Sequence, residues 1–275
     1  MARWLITGCS TGIGREIATA ALEAGHQVVA TARRPETLDD VVSEYPATAR
    51  AVELDVTNEG QIVDAVQRTI DEFGGIDVLV NNAGYGYMSA VEEGEDDEIR
   101  KLFDTNFFGI VDTLRLVLPV MRRQGSGHVI NISSMTGLVA NPPNVFYSCT
   151  KFALEALGEG LAKEVEPFGI KVSSIEPGAF RTDWASRSMA ESSSAIAEYE
   201  DVQGRKDMIR QFAEHLPGDP RKIGEAAVLL SGMDDPPLRL LMGKDVLAAT
   251  REKLEAMSTS IDAWEHVTTD VDFPT

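Results

Sequence analysis

A doubly wound α/β sheet is the fold this sequence predicts. Two observations carry it: short, near-continuous apolar runs, and segments of helical period set between them. The runs are Trp4 to Ile6, Val28 to Ala30, Ala51 to Leu54, Asp77 to Val80, His128 to Ile132 and Ile170 to Ile175. They do not alternate with polar residues, as strands covered on both faces should not. The helical segments run from Ile13 to Ala24, Glu59 to Phe73 and Phe146 to Pro167, each followed by glycine within two residues. Glycine there accommodates the left-handed residue that ends many helices. Strand, helix, strand in repetition gives a parallel sheet with helices on both faces, and ligands sit at the carboxyl ends of its strands.

The chain has 275 residues, of which 43% are hydrophobic. That suits one large unit, residues 1–275, with a sizeable core. No linker and no 20–50-residue repeat divides it. Acids outnumber bases 44 to 25, for a net charge of −19. Such a balance excludes the basic footprint that nucleic acid or an anionic membrane requires. Cys9 and Cys149 are too few for a disulfide framework, and four scattered histidines form no metal motif. No apolar run reaches 18 residues, and no leader pattern precedes the first strand. A cytoplasmic protein is expected.

Two stretches depart from the alternation. Residues 92–98 read EEGEDDE, expected as a solvated helix start favoured by the helix dipole. Residues 184–215 are serine-rich with weak periodicity, and follow a late strand, where a lid over a site would lie. A helical extension is expected over 245–275.

The first strand leads into Thr7-Gly8-Cys9-Ser10-Thr11-Gly12-Ile13-Gly14. A glycine-rich turn between strand and helix lets backbone approach a pyrophosphate, and the helix N-terminus supplies N–H donors. Gly8, Ser10, Thr11, Gly12, Ile13 and Gly14 are therefore candidate cofactor contacts. An NAD site would carry an acid at the end of the second strand. This chain has Arg33 and Arg34 there. Guanidinium suits a 2′-phosphate, so NADP(H) is expected to be preferred, with NAD(H) an alternative. Asp55 and Val56 end the third strand, and Asn82-Ala83-Gly84 end the fourth; all five can frame a nucleotide.

Ser134 follows the fifth strand. Tyr147 and Lys151 are i and i+4 on one helix face. An ammonium beside a phenol favours phenolate, which would lower the tyrosine pKa and make it a proton donor or acceptor nearer neutrality. The serine hydroxyl would hydrogen-bond a substrate carbonyl oxygen.

Together these motifs resemble the short-chain dehydrogenases/reductases, in their compact single-domain, steroid-dehydrogenase-like branch. The resemblance rests on TGCSTGIG, NNAG, DTNFFG with Asn106, NISS with Ser134 thirteen residues before Tyr147, YSCTK, and EPGAFRTD. It covers roughly residues 3–183. It implies a seven-stranded Rossmann-type sheet and hydride transfer between a nicotinamide and an alcohol or carbonyl. Tyr147 would be the acid/base. Lys151 would lower its pKa and bind the nicotinamide ribose, and Ser134 would orient the substrate oxygen. Asn106 would hold a water that relays protons from Lys151. Pro177, Gly178, Phe180 and Thr182 would shape the nicotinamide pocket. Cys9 and Cys149 occupy variable positions of the motifs and are expected to be buried and inert.

Two other readings keep the same fold. One is a non-enzymatic NADP(H) sensor or scaffold; the intact set Asn106, Ser134, Tyr147 and Lys151 speaks against it. The other is a sugar epimerase or dehydratase, whose glycine turn is spaced differently and whose chain is longer. The substrate pocket is expected from Tyr85, Met135, Leu138, Val139, Val145, Phe180 and Trp184. These side chains suit a hydrophobic ketone or secondary alcohol, steroid-like, retinoid-like or aryl, over a sugar. By the resemblance a homodimer or homotetramer is expected, with Phe152, Leu154 and Leu157 exposed for a partner.

Overall fold

The computed structural model describes residues 1–182 and 188–273. In chain order the strands are β1 (Arg3–Ile6), β2 (Gln27–Ala32), β3 (Ala49–Glu53), β4 (Val78–Asn81), β5 (Gly86–Met88), β6 (Gly127–Ile132), β7 (Ile170–Pro177), β8 (Met189–Glu191) and β9 (Arg239–Met242). The helices are α1 (Gly12–Glu23), α2 (Asp39–Glu44), α3 (Glu59–Phe73), α4 (Asp96–Phe103), α5 (Gly109–Gln124), α6 (Val145–Val165), α7 (Glu200–Phe212), α8 (Arg221–Ser231) and α9 (Lys244–Thr268). Seven strands form one sheet in the order β3-β2-β1-β4-β6-β7-β9, and all its pairings are parallel.

The apolar runs are continuous because each strand feeds two cores. Trp4 and Ile6 of β1 pack on one face with Ile17 of α1 and Ile223 of α8, while Leu5 packs on the other with Ile62 of α3, Val117 of α5 and Leu154 of α6. β4 divides in the same way, Val78 and Val80 to the first core and Leu79 to the second. Helices thus cover both faces, as the doubly wound reading requires. The strand order reverses between β1 and β4, which opens a crevice above their carboxyl ends.

Local chemistry sets the helix ends. Asn58 caps α3 by accepting from the Gln61 N–H at 3.2 Å, and Gly74 ends it at φ 83°. The third long helix stops at Val165, earlier than its periodicity suggests. Pro167 lacks an N–H and the chain turns through Glu166–Phe168 to Gly169 instead.

Three features depart from the sequence reading. β9 completes the sheet, although its RLLM run is short and only half-buried. β5 and β8 form a separate parallel pair that ties the segment after Gly84 to the lid region. The acidic stretch is only partly a solvated helix start. Asp96, Asp97 and Glu98 open α4, but Glu93 is buried and bound to the lid region. The exposed face expected on α6 is also incomplete: Leu154 lies in the chain's own core and Leu157 packs against it, leaving Phe152 partly exposed.

Candidate active site

A cleft of about 700 Å³ opens above the carboxyl ends of β1, β4 and β6. The glycine turn forms its floor. Gly8 adopts φ 73°, and a Cβ there would lie 2.9 Å from Ala83 Cα. Gly12 adopts φ 61°, and a Cβ there would make only ordinary contact with the Thr182 side chain, 3.7 Å away. Thr11 caps α1 without a side-chain hydrogen bond, so the first-turn N–H groups are left to a ligand. Gly14 serves packing instead: a Cβ there would meet Asn82 Nδ2 at 2.3 Å. It does not line the cleft.

Asn82 fastens the turn to the neighbouring strand end. Its Nδ2 donates to the Thr7 and Gly8 carbonyls at 2.8 and 2.9 Å. Ser10, Thr11, Ile13, Asp55, Val56, Ala83 and Gly84 line the cleft as expected from their places at the strand ends. Arg33 lines it too, and also borders an adjoining cavity of about 550 Å³ beside Glu53 and Thr57. Arg34 does not. It starts the turn Pro35–Leu38, with its carbonyl accepting from Thr37, and its side chain is exposed.

At the other end stand Ser134, Tyr147 and Lys151. Ser134 leaves the end of β6 in extended backbone, and its Oγ accepts from the Thr136 N–H at 3.1 Å. Tyr147 and Lys151 rise from the first turns of α6, both buried. Ser134 hydrogen-bonds the Tyr147 side chain. Lys151 Nζ donates to the Ile132 carbonyl at 2.8 Å and sits 5.7 Å from the Tyr147 ring centroid.

The electrostatics differ from the sequence expectation. Burial pushes the Tyr147 phenol above its ordinary value, and the Ser134 hydrogen bond only opposes that rise. Burial pulls Lys151 down to about 8, against the raising effect of Glu155. Burial thus shifts both groups toward their neutral forms.

Asn106 is wholly buried on a wider helical turn, Asp104–Phe108. Its Nδ2 donates to the Tyr85 carbonyl at 2.8 Å and to Thr150 Oγ1 at 3.2 Å, and its Oδ1 accepts from the Tyr85 N–H at 3.0 Å. The amide is thus engaged in holding the loop at Gly84 and Tyr85; it does not line the cleft.

Pro177, Gly178, Phe180 and Thr182 line the cleft after β7. Gly178 also makes room for Asp245, whose carboxylate would lie 2.3 Å from a Cβ there. Of the expected substrate contacts, Tyr85 lines the cleft, and burial pushes its phenol up to about 12. Met135 and Val145 are half-buried and do not line it, because Met135 is folded into the turn Met135–Gly137 and Val145 into the start of α6. Trp184 lies outside the described residues. Ser188, Met189 and Ala190 form the cleft wall instead, brought there by β8, along with Lys101, Asp104 and Thr105 ahead of Asn106. The latter three sit on the helix leading to a motif residue and were accessible to sequence reasoning; the β8 contacts carry no sequence signal.

Cys9 is buried, donates to the Ile6 carbonyl, and has its thiol pushed up to about 12 by burial. Cys149 is exposed on α6, contrary to expectation. Among the described residues no helix is long and apolar enough to cross a membrane, and no His/Cys/Asp/Glu cluster could hold a metal ion.

A glycine turn at the sheet's switch point, joined across one cleft to a Ser–Tyr–Lys set, defines a nucleotide-dependent oxidoreductase. The chain belongs to the short chain dehydrogenase family, whose family model matches residues 3–193. It is similar to a 3-ketodihydrosphingosine reductase of Bacteroides thetaiotaomicron, 39% identical over 240 residues, covering 87% of each chain. A solved short-chain dehydrogenase from Streptomyces avermitilis is 42% identical, with a TM-score of 0.91 over 98% of this chain and 99% of that one. A serine dehydrogenase solved in its closed form with NADP+ is 27% identical, with a TM-score of 0.76 over 87% of this chain and 93% of that one.

Proposed function

We propose that this oxidoreductase transfers a hydride between NADP(H) and a hydrophobic ketone or secondary alcohol, with Tyr147 as acid/base. NAD(H) is the alternative cofactor. The observation that carries the reading is one cleft with two chemistries. Ser134, Tyr147 and Lys151 stand at one end, and the glycine turn with Arg33 stands at the other.

The residues fit a dinucleotide. Gly12 lines the cleft at the α1 N-terminus, where a pyrophosphate would meet backbone donors. Arg33 offers a guanidinium and no acid stands beside it on β2, which suits a 2′-phosphate. When bound, the dinucleotide supplies or accepts the hydride. Phe180 and Thr182 would border its nicotinamide end.

The protein's own part is to hold the substrate oxygen and move a proton. In reduction, Tyr147 Oη donates its proton to the oxygen as negative charge develops there. Ser134 Oγ hydrogen-bonds the same oxygen. Lys151, anchored on the Ile132 carbonyl, keeps a positive charge close to the phenol when protonated. Asn106 positions the Tyr85 loop through its side-chain amide.

Met189, Ala190, Phe180 and Tyr85 give the substrate end an apolar character. A relative named as a 3-ketodihydrosphingosine reductase supports a ketone, and a neighbour solved with NADP+ supports the cofactor. Two free thiols suit a reducing compartment, the cytoplasm. The test is nicotinamide absorbance with purified protein, NADPH or NADH, and a panel of aliphatic, aryl and polycyclic ketones together with ketose and aldose sugars. Faster NADPH consumption with at least one apolar ketone is expected. Turnover confined to sugars, or NADH favoured throughout, would contradict the proposal.

A further inference from the structure

Helix α9 leaves the body of the protein and stands free. Val246 is buried, and Lys253 is held at the surface by the Leu138 carbonyl and the Phe152 ring. Every described residue from Leu254 to Phe273 is exposed. The helical part of that stretch, Leu254 to Thr268, spans roughly 22 Å at about 1.5 Å per residue. A helix of this length without tertiary contacts is marginal in water. The Streptomyces avermitilis structure matches 98% of this chain, too long a match to stop before this helix.

Its apolar residues form a seam. Leu247, Leu254, Met257, Ile261 and Trp264 recur at steps of seven, three, four and three, the spacing of a two-helix coiled coil. Leu254, Ile261 and Trp264 are each at least 60% exposed. The flanks decide the occupant. From Leu254 onward the chain has no Lys or Arg, but it carries Glu255, Asp262, Glu265, Asp270 and Asp272. That excludes an anionic lipid surface and nucleic acid. The complementary cation is on the same helix, at its base: Arg251 is exposed.

We propose that α9 pairs antiparallel with α9 of a second copy of this chain. In that register Leu254 of each copy meets Trp264 of the other, and Met257 meets Ile261. On the flank of the seam, one step off its layers, that register brings Arg251 of each copy near Glu265 of the other, twice by symmetry. A parallel pair would leave Arg251 facing no carboxylate. The seam is separate from the active site, so assembly through it and catalysis are independent.

The test is molar mass by light scattering on the full chain at micromolar concentration. Ile261→Glu with Trp264→Glu should halve the mass, with the thermal transition retained. Arg251→Glu and Glu265→Arg should each weaken the assembly at least tenfold, and together restore it. In a Cys149→Ser background, Ser258→Cys should cross-link to its own copy on mild oxidation, because position 258 flanks the seam beside the symmetry centre at Thr259. Leu247→Cys should not. A monomeric wild type, a mass unchanged by the seam substitutions, cross-linking at 247 but not 258, or binding to phosphatidylcholine vesicles through this helix would each overturn the proposal.

Discussion

Lys206 Nζ lies 3.4 Å from Glu93 Oε2, and neither side chain has meaningful solvent contact. The pair joins α7, beyond the lid segment, to the turn before α4. Burial pushes the Glu93 carboxyl up, but the Ile196 and Ala90 N–H groups and Lys206 outweigh it and hold it below its ordinary range. Glu92 and Glu95 add to the clamp by accepting from Tyr199 and Ser193. Three residues of an acidic run thus fasten the chain that forms one wall of the cleft.

Removing one partner of a buried pair leaves an uncompensated charge, at a cost of about 3–5 kcal/mol. Lys206→Met is therefore expected to lower the thermal midpoint and expose the 188–212 region to limited proteolysis. Lys206→Met with Glu93→Gln, which removes the charge and keeps an acceptor for the Ile196 N–H, should recover much of that loss. Unchanged proteolysis in the single variant would show that the pair does not hold the lid region.

Arg33 should set the cofactor preference. A charge-assisted hydrogen bond at an exposed site, discounted for screening, corresponds to about tenfold in affinity. Arg33→Ala is expected to weaken NADPH binding by about that factor and leave NADH nearly unchanged, as measured by fluorescence titration. Arg34→Ala should do neither, since Arg34 lies off the cleft.

Lys151 gives the free enzyme a pH limb. Its pKa is pulled down to about 8, so its positive charge is present below that pH and lost above it. kcat/KM for reduction reports free-enzyme groups. It should fall as pH rises through about 8, and the limb should move upward in Lys151→Arg. Tyr147, raised above its ordinary value, stays protonated across this window.

Glu176 is a buried carboxyl near Glu155, and burial pushes it up to about 8 from 4.5. A raised folded pKa means stability present below about 4.5 and lost as pH rises toward 8. Each unit corresponds to about 1.4 kcal/mol. Glu176→Gln should match wild type near pH 4.5 and exceed it by a few kcal/mol near pH 8 in chemical denaturation. A constant difference across that range would contradict the assignment.

Much of the fold is legible in the sequence because parallel strands buried on both faces must be apolar throughout, as Trp4-Leu5-Ile6 shows. β9 is less so, since an edge strand needs only half the burial. The glycine turn and the Ser134, Tyr147 and Lys151 set are legible because their spacing follows from helix and strand geometry. Glu93 is not: its burial depends on Lys206, 113 residues away, and no local pattern reports such a partner. Met135 illustrates the same limit, because a tight turn after β6 carries it away from the cleft that its neighbour Ser134 lines. The direction of the Tyr147 shift is likewise set by how deeply α6 buries it, which the i, i+4 spacing to Lys151 does not encode.

The most direct test compares Tyr147→Phe with wild type for NADPH binding and for ketone turnover in the same preparation. Unchanged NADPH affinity with turnover reduced at least a thousandfold is the expected result, about 4 kcal/mol of lost transition-state stabilisation. Turnover within a few-fold of wild type would contradict the assignment of Tyr147 as the proton donor, and with it the account of this cleft.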